Sequence, residues 1–223
     1  MTGPYEHMKA MYGGMDGLVS KAKELGYKEE NILILKGQEN ELKSQYSECY
    51  DNIQSCRHNR DTRTPMEYAQ DLVASWIFED SLVKEMNKVG CQMFLSGADK
   101  ERVILRTGKV SSKSDTYVQC GDKKLYAEIM TDYKGWWQKN RSLELRDDKY
   151  GKIKSENGIL LGISASNNQY LILDFQKPLD VKHIASYKPY GWKPAASIKL
   201  DSIEQKPLDF GEIAKDIATI CGE

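Results

Sequence analysis

Two acidic residues, Asp115 and Glu128, have a type and spacing that suggest chemistry. They lie in two predicted strands, 115–120 and 125–133, on either side of the turn segment GDKK. A turn between two such runs predicts a β-hairpin, which can bring the start of one strand beside the middle of the next. Two converging carboxylates repel each other unless a cation lies between them, and oxygen ligands suit Mg2+. The pair therefore predicts an Mg2+ site.

Other familiar catalytic motifs are absent. The sequence has no glycine-rich nucleotide loop, no His-Glu-x-x-His, no Gly-x-Ser-x-Gly and no Cys/His set with metal spacing. Carboxylates that bind Mg2+ beside lysines are suited to phosphodiester hydrolysis, because the metal activates water and neutralises the charge that builds on the phosphate. Phosphodiester hydrolysis is therefore the chemistry that the pair indicates.

A third carboxylate, Glu79, belongs to the helix predicted before this hairpin. The helix is expected over residues 65–88, because Thr64 and Glu67 form a capping box around a proline and Gly90 follows its end. Glu79 falls inside the apolar stripe of the helix, where a carboxylate is costly unless it is paired or bound to a cation. It is either a further metal ligand or an edge residue that reaches solvent.

The hairpin belongs to a region of short or alternating apolar runs, which are typical of strands. The predicted strands are 91–95, 103–105, 115–120, 125–133, 159–163 and 170–175. The basic stretch after the hairpin predicts a helix at about 138–150, and a final amphipathic helix begins near Phe210. This order predicts an α/β (α+β) fold with a central mixed β-sheet flanked by helices.

The N-terminal part of the chain is more polar. Residues 1–63 are predicted to form an accessory helical subdomain, and residues 64–223 the α/β core. Helical spacing predicts helices at 16–26 and 38–56. The apolar run 32–35 is compatible with either a strand or a helical turn.

Composition limits the class of protein. The chain has 223 residues and a net charge of -1, and 29% of its residues are charged, which favours one folded domain with appendages over disorder. Its five cysteines include no Cys-x-x-Cys spacing, so we expect buried apolar thiols and neither a disulfide framework nor a zinc site. No apolar run is long enough for a membrane span, so a soluble, cytoplasmic protein is expected.

The near-neutral charge conceals basic segments. Residues 134–154 carry seven Lys or Arg against three acids, residues 182–199 carry four Lys and no acid, and residues 57–63 carry three Arg against one Asp. Such segregation suits a surface that contacts a polyanion, although solvated charge is the simpler explanation. Segment 182–199 contains Pro and Gly and is predicted to be a recognition loop. The candidate DNA contacts are Arg57, Arg60, Arg63, Lys134, Lys139, Arg141, Lys188, Tyr190, Trp192 and Lys193.

The order of these features resembles the core of the PD-(D/E)XK nuclease superfamily, especially its type II restriction endonucleases. A helix with an inward Glu is followed by a hairpin that carries SD and then AEIM, a basic helix and two buried strands, over about residues 65–175. The resemblance implies a restriction-endonuclease-like core. It matches Asp115 and Glu128 to the acidic motif residues, adds the backbone carbonyl of Ile129 to the metal shell, and matches Glu79 to a nearby helix carboxylate.

The sequence departs from this motif at one position. The motif places a Lys two residues after the Glu, where this chain has Met130. Three explanations remain open: other residues are tolerated there, another Lys such as Lys113 or Lys134 replaces it, or Met130 is an engineered change. Lys113 lies two residues before Asp115 on the same strand face, about 6 to 7 Å away.

The resemblance implies an Mg2+-dependent endodeoxyribonuclease that cleaves double-stranded DNA as a homodimer, most like a type II restriction endonuclease of a restriction-modification system. Three alternatives stay open. One is a structure-specific repair or junction nuclease, the second is a catalytically silent DNA-binding module of the same fold, and the third is a soluble scaffold that binds no nucleic acid.

Overall fold

A computed structural model gives the fold for residues 3–56, 62–97, 99–106 and 114–222. The chain forms two compact units, one of residues 1–82 with 98–111 and one of residues 83–97 with 112–223. Their boundary falls inside a helix, and the division at residue 63 expected from the sequence stays a prediction.

The first unit is helical. Its helices are α1 (Pro4–Met11), α2 (Met15–Glu24), α3 (Glu29–Lys36), α4 (Glu39–Gln45), α5 (Ser47–Cys56) and the first part of α6 (Pro65–Lys88). The apolar run 32–35 lies in α3, and its four side chains are buried. The helix expected over 38–56 is two helices, because the backbone of Tyr46 leaves the helical region between α4 and α5 (φ -134°, ψ 56°). Residues 103–105, predicted as a strand, have no regular structure.

Helix α6 begins and ends where the sequence predicts. The backbone N–H of Thr64 donates to Glu67 Oε2 at 2.6 Å, and the N–H of Glu67 donates to Thr64 Oγ1 at 3.1 Å. These reciprocal bonds are the predicted capping box. Gly90 follows the helix end with φ 87°, a conformation that glycine adopts without a Cβ clash.

The second unit is built on a six-stranded mixed sheet. Its strands, in spatial order, are β1 (Met93–Leu95), β2 (Thr116–Cys120), β3 (Lys123–Asp132), β5 (Ile159–Ser164), β6 (Gln169–Asp174) and β9 (Lys206–Pro207). Strands β3 and β5 are parallel, and the other neighbouring pairs are antiparallel. The predicted fold class, a mixed sheet flanked by helices, is confirmed.

A second sheet of three strands corrects two predictions. It orders β4 (Ser142–Arg146), β8 (Lys193–Lys199) and β7 (Val181–Tyr187). The helix predicted over 138–150 is instead α7 (Trp136–Asn140), β4 and the start of α8 (Asp147–Ser155). Segment 182–199 is a β-hairpin and not a loop. Strand β4 buries the alternating Leu143 and Leu145 by pairing with β8, about 50 residues away in sequence, and this tertiary pairing overrides local helix propensity.

Helix α8 packs into the core between the two sheets. Its Tyr150 and Ile153 are buried in one cluster with Leu145 of β4, Ile198 of β8 and Leu160 of β5. Burial of Tyr150 and Ile153 fixes the rotation of α8 about its axis, because these two side chains must face the core. The remaining side chains of α8 are therefore held in defined directions.

The cysteine prediction is wrong for one pair. Cys120 at the end of β2 and Cys221 at the end of α9 (Phe210–Cys221) form a disulfide, with Cα atoms 5.6 Å apart. The two residues are 101 positions apart, so no local spacing indicates their pairing. Cys91 is buried and Cys49 is half-buried. Within the described ranges, no helix is both long and apolar enough to cross a membrane.

Candidate active site

Asp115 and Glu128 lie side by side in the structure. Strands β2 and β3 pair Thr116 with Ala127, so one further step of the same register sets Asp115 opposite Glu128. The two carboxyl groups are within hydrogen-bonding reach of each other. The backbone N–H of Ile129 also donates to Asp115 Oδ2 at 3.3 Å. The hairpin therefore brings together the two acids that the sequence singled out.

A lysine completes this cluster. Lys149 in α8 forms an ion pair with Glu128 Oε1, and 39% of the Lys149 side chain is exposed while Glu128 is buried. Sequence reasoning did not nominate Lys149. The helix predicted over 138–150 ended at that point, so it gave no reason for residue 149 to face the hairpin.

The charges in the cluster are strongly coupled. Burial raises the pKa of Glu128 to about 9, and the hydrogen bond and negative charge of Asp115 act in the same direction, while Lys149 opposes them. Burial lowers the pKa of Lys149, but the charges of Asp115 and Glu128 outweigh burial, so this pKa is raised. Glu128 therefore holds its proton to a higher pH than an exposed glutamate does, and Lys149 keeps its positive charge.

Polar contacts around the cluster hold Asp115 in place. Ser114, which is buried, donates from Oγ to Glu156 Oε2 at 2.7 Å, and Lys152 lies 3.5 Å from the other oxygen of Glu156. Thr116 donates from Oγ1 to the carbonyl of Ala127 at 2.9 Å. The residues on both sides of Asp115 are thus fixed, one to α8 and one to β3.

The donor set fits a hard divalent cation. Glu128 Oε1 is buried and has no partner with hydrogen-bond geometry, although Lys149 is close to it. The N–H of Ile129 points towards Asp115, and in a β-strand the carbonyl of the same residue points to the same side. Mg2+ is often held by only one or two carboxylates, with substrate phosphates and water completing its shell. In the part of the chain that the structure describes, no group of three or more His, Cys, Asp and Glu could hold a metal.

The structure also places the residues considered for the missing lysine. Met130 packs against the apolar core of the second unit. Lys134 is exposed, and its backbone N–H donates a hydrogen bond to Asp132 Oδ1 at 2.9 Å. Lys113 lies outside the described residues. Among the described lysines, Lys149 is the one that contacts the predicted acidic pair.

Glu79 lies in the first unit, where it binds an arginine. Arg102 Nη1 is 2.9 Å from Glu79 Oε2, and its Nη2 contacts Asp80. The ion pair with Arg102 thus offsets the cost of placing the Glu79 carboxylate within the apolar stripe of α6. The role of Glu79 as a metal ligand remains a prediction.

Arginines predicted to contact DNA have partners within the protein. Arg63 Nη1 lies 2.7 Å from Asp71 Oδ2, and Arg141 Nε lies 3.1 Å from Asp201 Oδ1. Arg57 and Arg60 lie outside the described residues. These ion pairs do not test a role in DNA binding, which stays a prediction for all four arginines.

The predicted contacts in and around the second sheet are more open. Lys134, Lys139, Lys188, Trp192 and Lys193 are exposed. The hydroxyl of Tyr190 donates to the carbonyl of Glu144. Lys188 to Lys193 lie together at the turn of the β7–β8 hairpin.

Comparisons with known proteins include a distant structural similarity. No protein-family model and no curated protein matches the chain. A solved structure of a Holliday junction resolvase from Archaeoglobus fulgidus, an archaeal hyperthermophile, is similar over 60% of this chain and 97% of the resolvase chain. The sequence identity is 11% and the TM-score is 0.37.

Proposed function

We propose that this protein is an endodeoxyribonuclease that hydrolyses phosphodiester bonds of DNA with the help of a divalent cation, Mg2+. One observation supports the proposal above all others: Asp115, Glu128 and Lys149 meet in one half-buried cluster. Two adjacent carboxyl groups and an ammonium provide a cation site and a phosphate-binding charge in the same place.

Asp115, Glu128 and the carbonyl of Ile129 would hold the cation. When bound, Mg2+ supplies charge neutralisation on the phosphate and activation of water. Asp115 is kept in place by the N–H of Ile129 and by the bonds of its two neighbours. The raised pKa means that Glu128 gives up its proton less readily than an exposed glutamate, and a bound cation would favour the ionised form.

Lys149 takes the place of the lysine that the nuclease motif carries two residues after its Glu. Because its pKa is raised, Lys149 acts as a positive charge and not as a general base. An ammonium at this position can bind an oxygen of the scissile phosphate and stabilise the charge that develops there. Met130 contacts the apolar core, so a lysine at that position would place its charge against apolar side chains.

The type II restriction activity on double-stranded DNA, the homodimer and the restriction-modification context are narrower proposals. Mixed-sequence DNA incubated with the protein and Mg2+ should be cut. No cutting should occur when EDTA is added or when the Asp115→Asn variant replaces the wild-type protein. Discrete fragments would support site-specific restriction, and cutting only at forks or junctions would support a structure-specific nuclease.

Sedimentation of the protein with and without DNA tests the dimer, because a two-fold protein matches a palindromic site. No cutting of any DNA by the wild-type protein would contradict the nuclease proposal.

A catalytically silent DNA-binding module is the second candidate. The ion pair between Lys149 and Glu128 favours this candidate, because in it the lysine ammonium takes the place beside Glu128 that a metal ion would occupy. A silent module would bind DNA in a salt-dependent way and leave it uncut with Mg2+. Cutting that requires Asp115 would exclude this candidate.

A further inference from the structure

The turn of the β7–β8 hairpin presents a tryptophan in an unfavourable conformation. Trp192 is 56% exposed and has φ 67°, directly after Gly191 with φ 65°. A bulky residue in the left-handed region costs roughly 1 to 2 kcal/mol. Exposure of its ring gives up the stabilisation that burial of a large aromatic side chain provides. Strained residues are retained where the surrounding structure holds them, and many serve a functional site.

The turn is held by its own hydrogen bonds. The backbone N–H of Trp192 donates to the carbonyl of Tyr187 at 3.0 Å, and Ser186 Oγ donates to the carbonyl of Trp192 at 3.3 Å. Tyr190 packs edge-on against Tyr187 and bonds to the backbone of β4 through its hydroxyl. The ring of Trp192 is therefore presented to solvent by a fixed support.

The charge around this ring is positive. Lys188 and Lys193 flank it, both are exposed, and segment 182–199 contains no acidic residue. Across the described ranges, neither ammonium has a carboxylate within ion-pair distance. An exposed aromatic ring between unpaired lysines matches nucleic acid, because bases stack on rings while phosphates bind cations.

Pairing of β8 with β4 brings the turn near the candidate active site. Ala195 of β8 pairs with Arg146, the residue before α8, and Lys149 follows three positions later. Three extended residues, one strand spacing and one helical turn limit the distance between the Cα atoms of Trp192 and Lys149 to about 22 Å. That distance corresponds to about six nucleotides of one DNA strand.

We propose that Trp192 stacks on an unpaired base of the DNA substrate, with Lys188 and Lys193 on the neighbouring phosphates. Bases inside an intact duplex are stacked on each other and have no free face, so this surface selects DNA with an unpaired segment. It thus favours forks, flaps or junctions as the substrate class. The inference rests on the proposed nuclease function, since it takes DNA as the ligand.

Binding without cleavage tests the stacking directly. The protein with Asp115→Asn is titrated in EDTA against a labelled duplex of about 30 base pairs, alone or with an unpaired tail of about ten nucleotides. Adding Trp192→Ala should weaken binding of the tailed DNA by about 10- to 100-fold and change duplex binding by less than about twofold. Trp192→Phe keeps a stacking ring and should retain most of the affinity. Equal losses on both DNAs, or no loss with Trp192→Ala, would overturn the inference.

Matched variants separate stacking from charge and from misfolding. Trp136 is also exposed, at 47%, but its Nε1 bonds to Glu144, so Trp136→Ala should leave the preference for tailed DNA unchanged. Replacing Lys188 and Lys193 with Ala should lower the salt slope of tailed-DNA binding by about 1.4. The tryptophan fluorescence of the protein should fall on binding tailed DNA, and Trp192→Phe should reduce that change. Thermal melting monitors folding in each variant.

The results also separate this inference from the proposed function. Cutting that requires Asp115, together with tailed-DNA binding that does not need Trp192, would overturn the inference and leave the nuclease proposal standing. Stacking that depends on Trp192, with no cutting by the wild-type protein, would support the inference and contradict the nuclease. Binding to anionic vesicles but to neither DNA would overturn the inference.

Discussion

Lys149 and Glu128 form an ion pair that joins helix α8 to strand β3. The lysine reaches the acidic residues from a helix, whereas the nuclease motif supplies its lysine from the strand itself. The lysine beside the two acidic residues thus comes from a different position in the sequence.

Loss of the Lys149 charge should abolish most activity. We expect Lys149→Met to lower the rate of DNA cleavage about 10^2- to 10^3-fold, the cost of removing one group that stabilises charge in a transition state. Lys154→Met is the matched control, because Lys154 is exposed on the same helix and lies over the ring of Tyr150. Single-turnover cleavage at saturating Mg2+ measures both rates. Equal rates for the two variants would contradict the assignment of Lys149.

A lysine at position 130, where the nuclease motif carries one, should not increase DNA cleavage. Met130→Lys places a charge beside apolar core residues, so we expect a loss of stability of about 1 to 3 kcal/mol and no gain in activity. Urea unfolding and cleavage assays of the purified variant measure both quantities. Faster cleavage by Met130→Lys than by the wild type would show that the lysine belongs on the strand.

The stability of the metal-free protein should depend on pH through Glu128. Its pKa is raised from 4.5 to about 9, so the folded protein keeps a proton that the unfolded chain has lost between these values. The stabilising contribution of Glu128 is complete below 4.5 and is lost as the pH rises through about 9, by up to about 1.4 kcal/mol per pH unit. Glu128→Gln removes this dependence. In EDTA, the variant should therefore gain stability relative to the wild type from about pH 6 to about pH 8 in urea unfolding. A constant difference would contradict the raised pKa.

A divalent cation should stabilise the folded protein through the same two carboxylates. At a Mg2+ concentration about 100 times Kd, the free energy of unfolding should rise by about 2.7 kcal/mol. Asp115→Asn should abolish this rise, while replacement of the exposed Asp201 by Asn should not. Thermal melting with and without Mg2+ measures the shift. A shift that is the same in both variants would place the cation elsewhere.

The disulfide should contribute much of the stability of the second unit. Cys120 and Cys221 close a loop with a sequence separation of 101 residues, and a cross-link of that length stabilises a protein by about 3 to 5 kcal/mol. Reduction with dithiothreitol should lower the free energy of unfolding by this amount, and Cys221→Ser should give the same value without a reductant. Thiol counting before and after denaturation confirms the redox state. No difference between reduced and oxidised protein would show that the pair does not contribute to stability.

The parts of the site that the sequence predicts are those that local signals specify. The capping box of Thr64 and Glu67 defines the start of α6, and the turn between β2 and β3 fixes the register of Asp115 and Glu128. These features depend on residues that are near each other in the chain.

The features that the sequence does not predict depend on distant contacts. Strand β4 forms because β8 pairs with it, and α8 begins after β4, so Lys149 is placed by a pairing that no local pattern shows. The pairing of Cys120 with Cys221 is equally remote in sequence. The basic stretch predicts one helix at about 138–150, whereas burial of Leu143 and Leu145 in a second sheet favours a strand.

The short path from Arg146 to Lys149 imposes a strict geometric condition on the candidate site. One residue inserted in the first turn of α8 would move the lysine by only about 1.5 Å along the helix axis, but would rotate it by about 100°. The ammonium would then leave the acidic pair while the hairpin that holds Trp192 kept its place. The number of residues between Arg146 and Lys149 should therefore tolerate less change than the identity of the exposed residues between them.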